Sequence, residues 1–339
     1  MYTYRLRHSP KGFTAAVLAA LVWFSGPSNA QSSANLGVVE IDDPGRYSQV
    51  LAVSDVHGEY AHLKRLLTAA RVIDAQGRWA AGRSLLIVVG DSIDKGPESL
   101  PILELWMRLR PQAQAGGGRL LVLLGNHEAE FLADPHTGKT KPFRKELKQA
   151  NIDAEQLAAG RDPRGIGAFL RAMPCAARVG KMLFVHAGWF PPGETWPAFV
   201  RRARQTLAAG RYGDPFLTGE HSILEAREVT PAGSDDPEKW YDDAGAVRNL
   251  EKRVTGAGLY GVVFGHQPKA FHFLDEIGGV DGLRLIKIDT GMAPDADESP
   301  GEVLRFRRPA DLLHLARPQA DRLLATGAAA QIAEKHVAQ

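Results

Sequence analysis

Short apolar runs alternate with amphipathic stretches along most of the chain. Residues 50–53, 85–89, 120–124, 182–185, 260–264 and 283–288 are rich in Val, Ile and Leu. Runs of that length are too short for a typical helix and predict buried strands. Between the first three runs lie residues 59–72 and 98–110, whose apolar positions fall at helical spacing; Leu63, Leu66, Leu67 and Ala70 share one face. Strand-helix-strand alternation predicts a layered α/β domain. Residues 134–180 and 189–258 are polar, contain Pro and Gly, and carry helical patches such as 198–207. They are expected to be insertions between strands rather than separate domains.

The polar residues that follow the strands add a site to this fold. Ser54-Asp55-Val56-His57, Gly90-Asp91, Gly125-Asn126-His127, His186 and Gly265-His266 stand directly after five of the apolar runs. Open α/β sheets collect ligands at the carboxyl ends of their strands, so these clusters predict one shared site along one sheet edge. The donors are carboxylates, imidazoles and an amide oxygen without a thiolate. Such a set suits manganese, iron or zinc and leaves positions for water and substrate. Two metals about 3.5–4 Å apart supply what phosphate ester hydrolysis needs, a strong oxygen nucleophile and compensation of phosphoryl charge.

Asp91, arriving between the other clusters, is the expected bridging carboxylate. Asp55 and His57 then hold one metal, and Asn126, His186 and His266 the other. His127 is left as general acid, oriented by Asp94 three residues after Asp91. Glu128 reads equally as a helix-start carboxylate or as a hydrogen-bond partner of a ligand, and Asp289 as a turn residue or a support behind the ligands. Both stay outside the expected site.

The blocks Asp55-Val56-His57-Gly58, Gly90-Asp91-Ser92-Ile93-Asp94-Lys95-Gly96, Gly125-Asn126-His127-Glu128, Val185-His186-Ala187-Gly188 and Gly265-His266 resemble the calcineurin-like metallophosphoesterases. More narrowly they resemble the phosphoprotein phosphatase branch, marked by GDxHG, GDxxDRG, GNHE, HGG and GH in this order. The resemblance spans roughly residues 50–290. It implies a layered β-sandwich flanked by helices, two divalent metals per chain with manganese first and iron or zinc as alternatives, and the ligand roles given above. It also implies phosphate-binding residues: Lys95, Asn126 and an arginine between His186 and His266. For that arginine, Arg227 in Ser222-Ile223-Leu224-Glu225-Ala226-Arg227 resembles the bacterial, Shewanella-like members, with Arg248 and Arg253 as rivals. The chain departs from the pattern at Ser54, at Ala187 and at Lys95, where the branch has arginine. A lysine there replaces a planar fork with a point charge on a flexible stem.

Charge narrows the partners. The net charge is +2 and no basic tract stands out, so nothing supports a phosphate-backbone track and no nucleic acid is expected. The single cysteine, Cys175, excludes an intramolecular disulfide. At the N-terminus, Arg5, Arg7 and Lys11 precede an apolar run from residue 13 to 24 and then Ser28-Asn29-Ala30. Twelve residues rising about 1.5 Å each reach only ~18 Å, short of the ~30 Å hydrocarbon core. This pattern predicts a cleaved leader over 1–30 and a periplasmic or secreted bacterial protein without a stable membrane anchor. A lead-in over 31–47, a catalytic domain over 48–307 and a C-terminal helical extension over 308–339 complete the expected organisation.

The leading expectation is a phosphomonoesterase of the phosphoserine/phosphothreonine type using metal-activated water, with a phosphorylated protein or small phosphoester as partner. Two alternatives stand beside it: a dinucleoside polyphosphate hydrolase or nuclease on the same dimetal site, and a non-catalytic exported protein that recognises phosphate.

Overall fold

A computed structural model describes residues 37–227, 244–294, 299–314 and 318–335. The expected leader over 1–30 lies outside the described residues. The strands are β1 (Val38–Ile41), β2 (Val50–Val53), β3 (Leu85–Val89), β4 (Arg119–Leu123), β5 (Ala176–Val179), β6 (Met182–Val185), β7 (Gly261–Phe264), β8 (Gly278–Val280), β9 (Leu285–Lys287), β10 (Glu302–Phe306), β11 (Ala320–Leu324), β12 (Ala329–Gln331) and β13 (Glu334–Lys335). The helices are α1 (Tyr60–Ala69), α2 (Ser99–Ala115), α3 (Asn126–Ala133), α4 (Lys141–Gln149), α5 (Ala154–Ala158), α6 (Ile166–Arg171), α7 (Trp196–Ala208) and α8 (Ala244–Gly256). α2 runs past Arg110 and through Pro111, its last turns fixed by the buried side chains of Leu109 and Ala113.

The strands form two sheets in the orders β1-β5-β6-β7-β9-β8-β13 and β12-β11-β10-β2-β3-β4. Within them β2, β3 and β4 are parallel, as are β6, β7 and β9. Alternate residues of β2, β3, β4, β6 and β7 go to different cores, as a pleat requires. Val50, Ala52, Ile87 and Val89 from one sheet share a core with Ala177, Met182, Phe184 and Val263 from the other. Leu51, Val53, Leu86 and Val88 belong instead with the helix residues Leu63, Leu67, Leu103 and Trp106. Strands buried on both faces read as unbroken apolar runs, which is why these segments lack polar alternation. The result is the expected α/β architecture of two sheets flanked by helices.

Three expectations change. The ligand clusters do not share one sheet edge: β2, β3 and β4 lie in one sheet, β6 and β7 in the other. The expected lead-in contains β1, which pairs in parallel with β5 and joins the domain core. The C-terminal segment forms no α-helix among its described residues. After a short 3-10 turn at Pro309–Leu313 it forms β11, β12 and β13. β11 lies antiparallel to β10 with Arg305 opposite Asp321, and the Arg305 and Arg307 side chains both reach the Asp321 carboxylate. β10 would otherwise present an unpaired edge, and proline at 309 and 318 disfavours a continuous helix through the segment.

Candidate active site

Asp55 and His57 follow β2, Asp91 follows β3, and Asn126 opens α3 directly after β4. His186 follows β6 and His266 follows β7, so the packing of the two sheets brings the groups together. The His57 Nε2 lies 3.4 Å from Asp91 Oδ2 and 3.8 Å from Asp55 Oδ1. His186 Nε2 lies 3.2 Å from the same Asp91 Oδ2 and 3.1 Å from Asn126 Oδ1. The Asp55 carboxylate accepts the backbone N–H of His266, at 3.0 Å to Oδ2. Two residue groups, His57/Asp91/His127 and Asp91/His186/His266, each bring their ligand atoms within 4.8 Å of one another. Asp91 is common to both, the position required of a bridge.

Backbone carbonyls set the imidazole tautomers. His57 Nδ1 lies 3.2 Å from the Ile93 carbonyl and His186 Nδ1 2.9 Å from the Val89 carbonyl. Placing the proton on Nδ1 leaves each Nε2 lone pair directed at the Asp91 carboxylate, the arrangement of metal-ligating histidines. Burial, and then the Asp289 charge, hold the Asp55 carboxyl well above its usual range. Burial and neighbouring cations hold the His57 and His266 imidazoles well below theirs. Burial works against charge on Asp91 too, but His186, His127 and His57 outweigh it and keep its carboxyl low. Against burial, the Asp91 and Asp55 charges hold the His186 imidazole up at about 10. A buried carboxylate cluster that draws a proton onto His186 fits divalent cations, which would take that proton's place and offset the same negative charge.

The acid pair is also assembled. His127 Nδ1 lies 3.2 Å from Asp94 Oδ2, and Asp94 Oδ1 accepts the Phe143 N–H at the start of α4 at 2.9 Å. Burial tends to lower the His127 imidazole, but the Asp91 charge and the Asp94 hydrogen bond prevail and hold it up at about 9. His127 therefore carries a proton at neutral pH.

Close approach and backbone strain shape the site. A Cβ at Gly125 would overlap the Asp91 carboxylate and one at Gly265 would overlap that of Asp55, which explains the glycines before Asn126 and His266. Asp55, His57, Asp91, Asp94, Lys95 and His266 all hold positive φ, between 45° and 67°. Each such residue costs roughly 1–2 kcal/mol. Burying one Val, Leu or Ile of the flanking strands contributes roughly 1.5–3 kcal/mol, so the cores override the strain.

Glu128 turns out to be central. It is fully buried, and its carboxylate accepts the backbone N–H groups of Asp91, Ser92, Ile93 and Gly125 at 3.0, 2.7, 3.1 and 2.8 Å. It thereby ties the loop after β3 to the start of α3. The helix-start reading of this residue describes one of these four bonds. Glu128→Ala would leave four buried donors without their acceptor, and chemical denaturation is expected to show a loss of at least about 3 kcal/mol. A loss below 1 kcal/mol would mean that water replaces the carboxylate.

A cavity of about 390 Å³ opens over the cluster. Its walls include Asp55, His57, Asp91, Asn126, His127 and His266, with the cations Lys95, Lys139, Arg227 and Lys269. Neither Arg248 nor Arg253 lines it. His186 is completely buried beneath the cluster. Asp289, treated above as optional, also lines the cavity. Lys139 and Lys269 escaped the sequence reading because they stand in loops without a motif.

The family model described as calcineurin-like phosphoesterase matches residues 48–270. The chain belongs to the calcineurin-like phosphoesterases. It is accordingly a metal-dependent phosphoesterase, with two candidate metal clusters at its strand ends. It is 26% identical to Shewanella-like protein phosphatase 2 of Arabidopsis thaliana, over 83% of this chain and 80% of the relative. It is 32% identical to a symmetrical bis(5'-nucleosyl)-tetraphosphatase of Dechloromonas aromatica, over 62% of this chain and 68% of the relative. Among solved structures, a cold-active protein-tyrosine phosphatase of a psychrophilic Shewanella species shares the fold, with a TM-score of 0.66, 19% identity and coverage of 88% of this chain and 82% of that one.

These relatives correct the expected partner. Several are bis(5'-nucleosyl)-tetraphosphatases and thus point to nucleotide substrates rather than phosphorylated proteins. The expectation rested on motifs shared across the branch, and those motifs describe the metal cluster. The cavity walls also carry Lys139 and Lys269, which belong to none of those motifs.

Proposed function

We propose that this phosphoesterase hydrolyses dinucleoside polyphosphates. The observation that carries the reading is the set of four cations, Lys95, Lys139, Arg227 and Lys269, around a cavity floored by the two metal clusters. One phosphoryl group at a dimetal centre needs few further positive charges, whereas a chain of phosphates presents charge over a longer span. The similarity to the tetraphosphatases supports the same substrate class.

Asp55, His57 and Asp91 would hold one metal, and Asp91, Asn126, His186 and His266 the other. Manganese is proposed first, with iron and zinc as alternatives that the same donors accept. When bound, the pair makes an attacking water more acidic and offsets charge on the phosphoryl oxygens. Lys95 and Arg227 line the cavity and would orient the reacting phosphate, together with the Asn126 amide. The water oxygen bonds to phosphorus, the bridging P–O bond breaks, and the departing oxygen keeps the electron pair. His127 would donate to that oxygen, while the carboxylate of Asp94 fixes its ring and stabilises its proton.

The test is metal-stripped protein restored with manganese and assayed on diadenosine tetraphosphate and on nitrophenyl phosphate. Turnover should return with the metal, and kcat/KM should favour the tetraphosphate by about tenfold or more, the effect of one additional charge-assisted contact. Preference for the monoester would instead support a phosphomonoesterase. Absence of turnover with manganese, iron or zinc would support a phosphate-recognising protein.

A further inference from the structure

Lys139 lies outside every sequence block, in the loop between α3 and α4, yet its side chain lines the catalytic cavity. Two carboxylates hold it there. Its Nζ lies 2.5 Å from Glu130 Oε1, on α3, and 3.6 Å from Glu225 Oε1, two residues before Arg227. Glu225 is itself fixed, since its Oε2 accepts the Gly219 N–H at 2.8 Å and its own N–H donates to Ser222 Oγ at 3.0 Å. Glu130 is rooted on the same short helix as Asn126 and His127. Lys139 therefore connects the helix that carries the candidate acid to the segment that carries Arg227.

A lysine that served only to pair with acids on the surface would not need a place in the cavity wall. Near neutrality the two carboxylates also do not cancel Lys139 twice over. Burial, and then a hydrogen bond with Glu225, push the Glu130 carboxyl up to about 7. The pair is therefore less than doubly charged at neutral pH, and the ammonium, with three N–H donors facing two carboxylates, keeps a donor for a phosphate oxygen.

Resting on the polyphosphate reading above, we propose that Lys139 is a specificity-determining residue that binds a phosphate adjoining the scissile one, with Glu130 and Glu225 as its positioning residues. Lys95 and Arg227 then serve the reacting phosphoryl group, and Lys139 distinguishes a phosphate chain from a lone phosphate. The site takes an anion of at least two linked phosphates.

The experiment compares inhibition of nitrophenyl phosphate hydrolysis by inorganic phosphate and by tripolyphosphate, with manganese in excess over both. The ratio of the two inhibition constants is read within each protein, so a general change in activity cancels. Wild type should bind tripolyphosphate the more tightly. Lys139→Gln should reduce that preference by about tenfold, the size of one charge-assisted hydrogen bond, and Lys139→Arg should restore most of it. Lys139→Met serves as a second neutral variant should Lys139→Gln fold poorly.

A preference unchanged in both neutral variants would overturn the proposal. So would a Lys139→Arg protein no better than Lys139→Gln, because then charge is not what is read. A wild type that leaves diadenosine tetraphosphate intact but shows a Lys139-dependent preference for tripolyphosphate would overturn the substrate reading and uphold this one.

Discussion

Asp91→Asn is expected to lower kcat by at least about 10³-fold, more than a single electrostatic group usually contributes, because this carboxylate belongs to both metal groups. Asparagine keeps the shape and can still accept the His127 N–H that now reaches Asp91 Oδ1 at 3.1 Å. It removes the negative charge that the Nε2 atoms of His57 and His186 both face. Metal content should therefore fall along with turnover, from two ions per chain to one or fewer. Steady-state kinetics and elemental analysis of the same preparation check both. A variant that retains two metals and a tenth of wild-type turnover would exclude Asp91 as the bridge.

His127→Ala is expected to cost about 10²–10⁴-fold in kcat while both metals stay bound. Metal content matters here because the His127 ring nitrogens also lie close to His57 and Asp91, which would permit a ligand role. Its Nδ1 is engaged by Asp94, and against the effect of burial the Asp91 and Asp94 carboxylates keep the ring protonated, which a donor needs and a ligand does not. A second signature separates the roles. Loss of a proton donor should hurt phenyl phosphate, with its basic leaving group, more than nitrophenyl phosphate. Equal losses on both esters, or loss of a metal, would remove His127 from the acid role.

The parts of this protein legible in its sequence are those in which local pattern and local chemistry coincide. β2, β3, β6 and the α1 stripe of Leu63, Leu66 and Leu67 are visible as unbroken or periodic apolar runs because they are buried on the faces the pattern marks. The ligand residues stand out because each follows such a run. Segments whose state depends on a distant partner were not legible. β1 exists through β5, some 138 residues away, and β8 is Gly-Gly-Val, with no strand signal of its own. β11 follows a leucine-rich stretch that suggests a helix, yet it pairs with β10 because that edge is there to be paired. Division of the ligands between two sheets is likewise a matter of pairing order, which strand composition does not encode.

Glu128 illustrates a different limit. As a residue type in a GNHE block it suggests a cap, and only the loop geometry after β3 shows it accepting three further N–H groups. Lys139 is a third kind of case. Its meaning comes from Glu130 and Glu225, residues 9 before and 86 after it in the chain, and no spacing rule connects them.

Asp55 and the His266 N–H that it accepts are 211 residues apart in sequence. A chain on which only the first sheet has formed can gather Asp55, His57, Asp91 and Asn126, but His186 and His266 arrive with the second sheet. Contacts of such long range are among the slowest to form in folding. Metal uptake at the second group should therefore report on the last stage of folding, and a cation added to a refolding chain should lock in a completed molecule rather than guide an early one.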